Sequence, residues 1–118
     1  MAYTQFNVTY PSLTGTRFDG QGQAGVAGGA GTGISFSNDG QTMLQFENSG
    51  AGTPSIVIIS QQTVGGLAVA DVTVTLVASQ DKEIGKLDPS IFNTSGGLVQ
   101  MYFTGSNETD VLVRAIRP

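Results

Sequence analysis

The sequence predicts an all-β fold, an antiparallel β-sandwich or open barrel of seven to eight strands with an extended Gly-rich N-terminal arm. Short segments alternate large apolar and polar side chains, turn residues recur about every ten positions, and no segment has helical periodicity. A chain of 118 residues is long enough for one independent core. We divide it into an N-terminal strand and Gly-rich arm over residues 1–33 and a β-sandwich domain over residues 34–118.

The first strand signal is Tyr3–Tyr10, which alternates apolar and polar side chains and ends at Pro11. It predicts a strand with Phe6 and Val8 on opposite faces, able to pair at a sheet edge of its own chain or of another. Further strands are predicted at residues 33–36, 42–47, 55–60, 72–77, 98–104 and 111–116, and Asn-Asp-Gly and Asn-Ser-Gly turns close hairpins or tight loops after the first two of these. Residues that share an apolar face in these strands are the core candidates: Leu44, Phe46, Ile56, Ile58, Val72, Val74, Leu76, Val99, Met101, Phe103, Val111, Val113 and Ala115.

Between Gly20 and Gly33 lie seven glycines with neither a helical nor a strand period. Ordering these residues costs on the order of 1 kcal/mol each or more, whereas burying Val26 and three alanines returns about 3 to 5 kcal/mol. The stretch is therefore predicted to be an arm or linker that packing within the chain cannot fix.

One short helical turn is predicted within the second half of the chain. Asp88 is a good N-cap and Pro89 suits the first helical position. Ile91 and Phe92 are then expected to plug one end of the fold.

The composition excludes many kinds of chemistry. The chain has no Cys and no His, which removes thiolate nucleophiles, imidazole bases and most zinc or copper sites. A formal net charge of −4 argues against nucleic acid as a partner. The longest apolar run, Ile56–Ile59, is far too short to cross a bilayer, and the N-terminus lacks the pattern of a signal peptide. We therefore expect a protein that is not an enzyme, has no cofactor and binds neither nucleic acid nor membrane.

Several weak motifs are better explained without a ligand. Gly20–Gly25 spells the dinucleotide pattern GxGxxG, but no helix follows it. Two acidic groups are chemically able to bind calcium, and we expect them to be solvated turn charges instead: Asp81 with Glu83 and Asp88, and residues 107–110. The cations Lys82, Lys86, Arg114 and Arg117 are interpreted as guards of strand edges.

Two blocks of the chain resemble small structural proteins encoded beside the major capsid protein in tailed bacteriophages. The first is Asn38-Asp-Gly-Gln-Thr-Met-Leu-Gln-Phe-Glu-Asn48 with the strand Ile56–Ile59, and the second comprises Ile84–Asn93, Gly97–Phe103 and Val111–Arg117. Together the blocks extend over most of residues 38–118. Where the family often reads Gly-Pro-Phe-Pro-Pro, this chain has Lys86-Leu-Asp-Pro89.

The resemblance implies a capsid decoration, or head cement, protein. Such a protein is made in the host cytoplasm, binds the outer surface of the phage head and reinforces the junctions between capsomers. Its implied partners are the major capsid protein and further copies of itself, with a trimer as the expectation. Deleting residues 1–33 is then expected to leave a folded domain that no longer binds its shell.

The residues expected to bind partners lie in the N-terminal strand and arm. They are Tyr3, Phe6, Val8, Tyr10, Arg17, Phe18 and Val26. Arg17 lies between the first strand and the arm, where a long cationic side chain can anchor the arm to an acidic surface.

Two other functions remain open at this point. One is a tail, neck or fibre subunit of the virion. The other is a carbohydrate-binding or adhesion module, for which Tyr3, Tyr10 and Tyr102 are interpreted as too few and too scattered to form a sugar platform.

Overall fold

The fold is seen in a computed structural model of the chain. The structure describes residues 3–6, 8–9, 23–25, 29, 31–61, 63–64, 67–68 and 70–116. Its strands are β1 (Tyr3–Gln5), β2 (Val8–Thr9), β3 (Gln23–Ala24), β4 (Gly33–Ser37), β5 (Met43–Asn48), β6 (Ser55–Ile58), β7 (Thr63–Val64), β8 (Leu67–Ala68), β9 (Val72–Thr75), β10 (Asp81–Ile84), β11 (Leu98–Thr104) and β12 (Val111–Ile116). One helical turn, α1 (Pro89–Phe92), precedes β11, and a 3-10 turn (Glu108–Asp110) precedes β12.

The strands form two large sheets and a small hairpin. The first sheet has the order β1-β4-β11-β6-β9, and the second has the order β10-β5-β12-β2, with β3 also paired to β12. The hairpin β7-β8 lies in the connection between β6 and β9. The predicted all-β class is confirmed, and eight of the described strands have three or more residues.

Strand direction differs from the prediction at two places. The pairs β1–β4 and β2–β12 are parallel, whereas the other pairs in both sheets are antiparallel. A parallel pair needs a long connection between its strands, and residues 6–32 supply one between β1 and β4. The sheets are therefore mixed.

Alternate residues of both sheets enter one hydrophobic core. The buried set is Ile34, Phe36, Leu44, Phe46, Ile56, Ile58, Val74, Leu76, Leu87, Phe92, Val99, Met101, Phe103, Val111, Val113 and Ala115. All predicted core residues belong to it except Val72, which is partly buried against it. The period-2 pattern finds the predicted members because a buried sheet face selects every second side chain, while Ile34, Phe36 and Leu87 are buried without having been among them.

The N-terminal segment contributes a short strand to each of the two sheets, whereas the sequence predicts a single strand. Its chain leaves the first sheet after β1 and joins the second sheet at β2. Phe6 and Val8 both pack against the core, and the ring centroid of Phe6 lies 5.8 Å from that of Phe36. The prediction that Phe6 and Val8 occupy opposite faces is wrong, because the segment passes from one sheet to the other and both side chains are directed to the core between them.

Part of the Gly-rich stretch belongs to the second sheet. β3 pairs with β12, and the Gly25 N–H donates to the Val111 carbonyl oxygen at 2.8 Å. A methyl group on Gly25 would collide with the Glu108 carbonyl oxygen. Packing within the chain does fix residues 23–25, through backbone hydrogen bonds that a count of apolar side chains leaves out. An arm over the remaining residues stays a prediction, as does the domain boundary at residue 33, which the β1–β4 pair crosses.

Buried asparagines hold the loops that cross between the sheets. The Asn48 side chain donates to the carbonyl oxygens of Gly52 (3.1 Å) and Val77 (2.9 Å) and accepts from the Gly50 N–H (3.1 Å). At the other end of the sheets, Asn38 donates to the Leu87 carbonyl oxygen at 3.1 Å. The Asn-Asp-Gly and Asn-Ser-Gly segments are therefore tight loops between sheets, and no hairpin forms at either of them.

The predicted helical turn is confirmed. The Asp88 side chain accepts a hydrogen bond from the Ser90 N–H at 2.9 Å, and Pro89 is the first residue of α1. Phe92 is buried and Ile91 packs against the core from the same turn.

Candidate functional site

The two large sheets present outer faces of very different chemistry. On the first sheet, the side chains that alternate with the core residues carry no charge, and we call this the uncharged face. Its members are Tyr3, Gln5, Ser35, Ser37, Ser55, Val57, Thr73, Thr75, Leu98, Gln100, Tyr102 and Thr104. They are hydroxyl, amide, aromatic and aliphatic side chains spread over five strands.

One row of the uncharged face brings two tyrosines near each other. Tyr3 on β1 and Tyr102 on β11 both lie opposite Gly33 on β4, and Val57 on β6 continues the row. Two strand spacings separate the tyrosines at their backbones, or about 10 Å. The interpretation of Tyr3 and Tyr102 as scattered is therefore wrong for this pair, because strand register joins residues that lie far apart in the chain.

The tyrosine row has a fixed backbone. A Cβ atom on Gly33 would collide with the Met101 carbonyl oxygen, so β4 and β11 approach each other closely here. The Tyr3 hydroxyl accepts a hydrogen bond from the Gly31 N–H at 2.9 Å. Tyr3 and Tyr102 are both half-buried, so each keeps part of its ring at the surface.

The outer face of the second sheet is charged. We call it the charged face, and its members are Met43, Gln45, Glu47, Asp81, Glu83, Leu112, Arg114 and Ile116. Arg114 forms an ion pair with Glu47, with 3.0 Å between Nη2 and Oε1, and its Nε donates to Gln45 at 3.3 Å. Arg114 lies on β12 inside the sheet, so its interpretation as a guard of a strand edge is wrong.

The contrast between the faces indicates which one suits a protein partner. Interface centres are depleted of charged side chains and enriched in aromatic residues such as Tyr. Docking the charged face would take water from the exposed carboxylates of Asp81 and Glu83 and from Glu47, which is costly unless Asp81 and Glu83 find partners. Docking the uncharged face requires only hydroxyl and amide groups to exchange hydrogen bonds.

The sheet edges on one side of the molecule also differ. β9 ends the first sheet and β10 ends the second. β9 has the uncharged sequence Val-Thr-Val-Thr, whereas three of the four residues of β10 are charged. Lys82 lies at an inward position of β10 and its Nζ donates to the Thr75 carbonyl oxygen of β9 at 2.8 Å. Lys82 therefore crosses the opening between the two edges, which agrees with its interpretation as an edge guard.

The residues predicted to bind partners have separate positions. Phe6 and Val8 contribute to the molecule's own core, while Tyr3 lies on the uncharged face. The predicted residues Tyr10, Arg17, Phe18 and Val26 lie outside the described residues, as does Arg117.

The acidic residues considered for calcium are also placed. Asp81 and Glu83 lie on β10, while the hydrogen bonds from the Ser90 N–H and hydroxyl lower the pKa of Asp88, the cap of α1. Within the described ranges, no three Asp or Glu residues converge as a metal site would require.

The part of the site that sequence reasoning missed is the uncharged face. Its members are the residues that alternate with the buried ones, so the signal is present in every strand of the first sheet. Combining them into one face requires the neighbour of each strand and its register, which a single sequence does not provide.

Comparison with family models, with curated proteins and with solved structures finds no match for this chain. No helix in the described part of the chain has the length and apolar character that crossing a membrane takes.

Proposed function

We propose that this protein is a non-enzymatic structural protein of a phage virion, a decoration protein that binds the outer surface of the head and reinforces capsomer junctions. Its partners are the major capsid protein and copies of itself on the capsid surface. The observation that carries the proposal is the contrast between an uncharged face over five strands and a charged face on the opposite sheet. In this arrangement the uncharged face meets the shell and the charged face meets water.

The finer architecture in this proposal is a sandwich. Both sheets contribute to one core, β1 and β2 close one side through Phe6, and Lys82 crosses the other side. Such a frame fixes the backbone of the uncharged face, so many modest contacts can form at once. Repetition over a symmetric shell then turns weak single contacts into stable attachment.

Binding to heads that lack the protein tests the proposal by co-sedimentation. Gln100 on the uncharged face and Gln45 on the charged face are both half-buried, so the same substitution can be placed on either side. Gln100→Glu places a charge in the docked surface and is expected to weaken binding about tenfold or more. Gln45→Glu is the matched control and is expected to change binding less than about twofold, because the charged face is turned away from the shell. Its new carboxylate lies beside Arg114, which already donates to Gln45.

Three results would contradict the proposal: no binding of the wild-type protein to heads, equal effects of the two variants, or a larger effect of Gln45→Glu. Binding to tails but not to heads would favour a tail or neck subunit instead. Deleting residues 1–33 is a poorer test, since it removes β1, β2 and β3 from both sheets.

The tyrosine row favours a second candidate, a carbohydrate-binding or adhesion module. Tyr3 and Tyr102 on one face, with Gln5 and Gln100 in the next row, supply aromatic surfaces and amides of the kind that bind sugars. Soluble polysaccharides screened by affinity electrophoresis test this candidate. Retardation that Tyr102→Ala abolishes would support it, and absence of retardation across a broad panel would reject it.

A further inference from the structure

The outer edge of β9 is built to accept another strand. The Leu76 N–H donates to the Pro54 carbonyl oxygen at 3.0 Å, which fixes the alternation of hydrogen bonds between β9 and β6. Val72 and Val74 therefore direct their backbone groups to β6, and Thr73 and Thr75 direct theirs away from the sheet. Among the described residues, no strand pairs with β9 on that side.

Apart from Lys82, this edge lacks the devices that discourage pairing. Exposed edge strands are commonly protected by charges, proline or bulges, and β10 has three charged residues on its own edge. β9 has none of its own, and its only cover from the described residues is Lys82 at the Thr75 carbonyl oxygen. That oxygen has a second lone pair, so the contact still leaves it able to accept another hydrogen bond.

We propose that β9 pairs with β9 of a second copy of this chain. The two strands are antiparallel and are related by a two-fold axis that passes between Thr73 of one copy and Thr73 of the partner subunit. Thr73 then exchanges both backbone hydrogen bonds with Thr73 of the partner subunit. The two first sheets become one continuous sheet of ten strands. A threonine pair directly opposite on the same face is a favourable cross-strand contact.

Charge complementarity selects this register. With the axis at Thr73, Asp71 of each copy lies opposite Thr75 of the other. Lys82 is already held at the Thr75 carbonyl oxygen, so each end of the junction has a carboxylate on one copy and an ammonium group on the other. Asp71 is exposed, and one oxygen of its carboxylate accepts a hydrogen bond from the Ser60 N–H at 2.8 Å on the β6 side of β9. An axis one residue further along would place Asp71 opposite Val77 and lose this pairing.

The geometry of the dimer also determines which faces of the two copies lie on the same side. A two-fold axis through an antiparallel strand pair runs perpendicular to the sheet, so both uncharged faces point the same way. The pair offers a surface twice as wide on one side and keeps both charged faces on the other. The inference does not rest on the proposed function, since it concerns two copies of this chain alone.

Sedimentation velocity of the full chain tests the pairing. An edge of four residues is small for a stable interface, so the protein concentration is varied over the high range of roughly 10 µM to 1 mM. The wild-type protein is expected to shift from monomer to dimer. Thr73→Pro removes the outward N–H without touching the ladder to β6, so it is expected to abolish the shift. Glu83→Pro makes the same change at the outward position of β10 and is expected to leave the dimer intact.

A second pair of variants tests the register without proline. Thr73→Lys places two like charges directly opposite each other and is expected to weaken association about tenfold or more. Thr75→Lys faces Asp71 of the partner subunit and is expected to leave association unchanged or strengthen it. Both threonine side chains are exposed, so folding is retained, which circular dichroism checks.

A wild-type chain that stays monomeric over the whole range would overturn the inference. So would a dimer or a trimer that survives both Thr73→Pro and Thr73→Lys, or one that Glu83→Pro abolishes. None of these measurements involves capsids, so failure of the pairing and failure of the decoration proposal are distinguishable.

Discussion

Replacing Phe6 by alanine tests whether the N-terminal strand is part of the folded domain. The sequence alone predicts a strand next to a loose arm, whereas the structure places Phe6 between the sheets with its ring 5.8 Å from that of Phe36. In the first case the substitution is nearly neutral. In the second it removes an aromatic side chain that packs on the core.

The expected cost follows from the burial of the ring. Removing a fully buried phenylalanine costs about 3 to 5 kcal/mol, and the aromatic pair adds roughly 0.5 to 1.5 kcal/mol. Phe6 is only partly buried, so we expect the free energy of unfolding to fall by about 2 to 3 kcal/mol. For a domain of this size that corresponds to a melting temperature lower by roughly 8 to 15 °C.

Urea unfolding at equilibrium measures this cost. The dependence of the free energy of unfolding on urea concentration, the m-value, is held equal between variants. Val77→Ala is the matched control, because Val77 is 52% exposed and its truncation is expected to cost less than about 0.5 kcal/mol. A Phe6→Ala cost equal to that of the control would refute the packed N-terminal strand and restore the loose arm.

Three further predictions concern loops and caps. Asn48→Ala leaves buried backbone groups without partners and is expected to lower the free energy of unfolding by about 2 to 4 kcal/mol in the same urea assay. Gly25→Ala places a methyl group against the Glu108 carbonyl oxygen and is expected to lower the melting temperature. Gly85→Ala meets open space and is expected to leave the melting temperature unchanged or raise it slightly. Equal melting temperatures of the two variants would contradict the packing of β3. The folded-state pKa of Asp88 is depressed, so its stabilising effect is present above the unfolded pKa and is lost as pH falls through the folded pKa. As pH falls from about 5 to below the ordinary aspartate pKa of about 3.9, the wild type should therefore lose more stability than Asp88→Asn, and an identical loss would show that the cap does not titrate in this way.

Local patterns in the sequence predict much of this fold. Alternation in β5, β6, β11 and β12 identified the buried faces, and the Asp88-Pro89 pair identified the start of α1. These features depend on neighbours a few residues apart, so one sequence contains the information. The charged strand β10 escaped detection because three of its four side chains are exposed, and an edge strand of that kind has no apolar alternation to reveal it.

Only the tertiary structure decided where the candidate surfaces lie. Tyr3 and Tyr102 are almost a hundred residues apart in the chain, yet register places both beside Gly33. The sequence predicts Phe6 as a partner contact, and only the crossing from β1 to β2 shows that it also packs against the core. The sequence determines which side chains alternate, because that is local backbone geometry. Which strands become neighbours depends on long-range pairing, and therefore so do the uncharged face, the charged face and the open edge of β9.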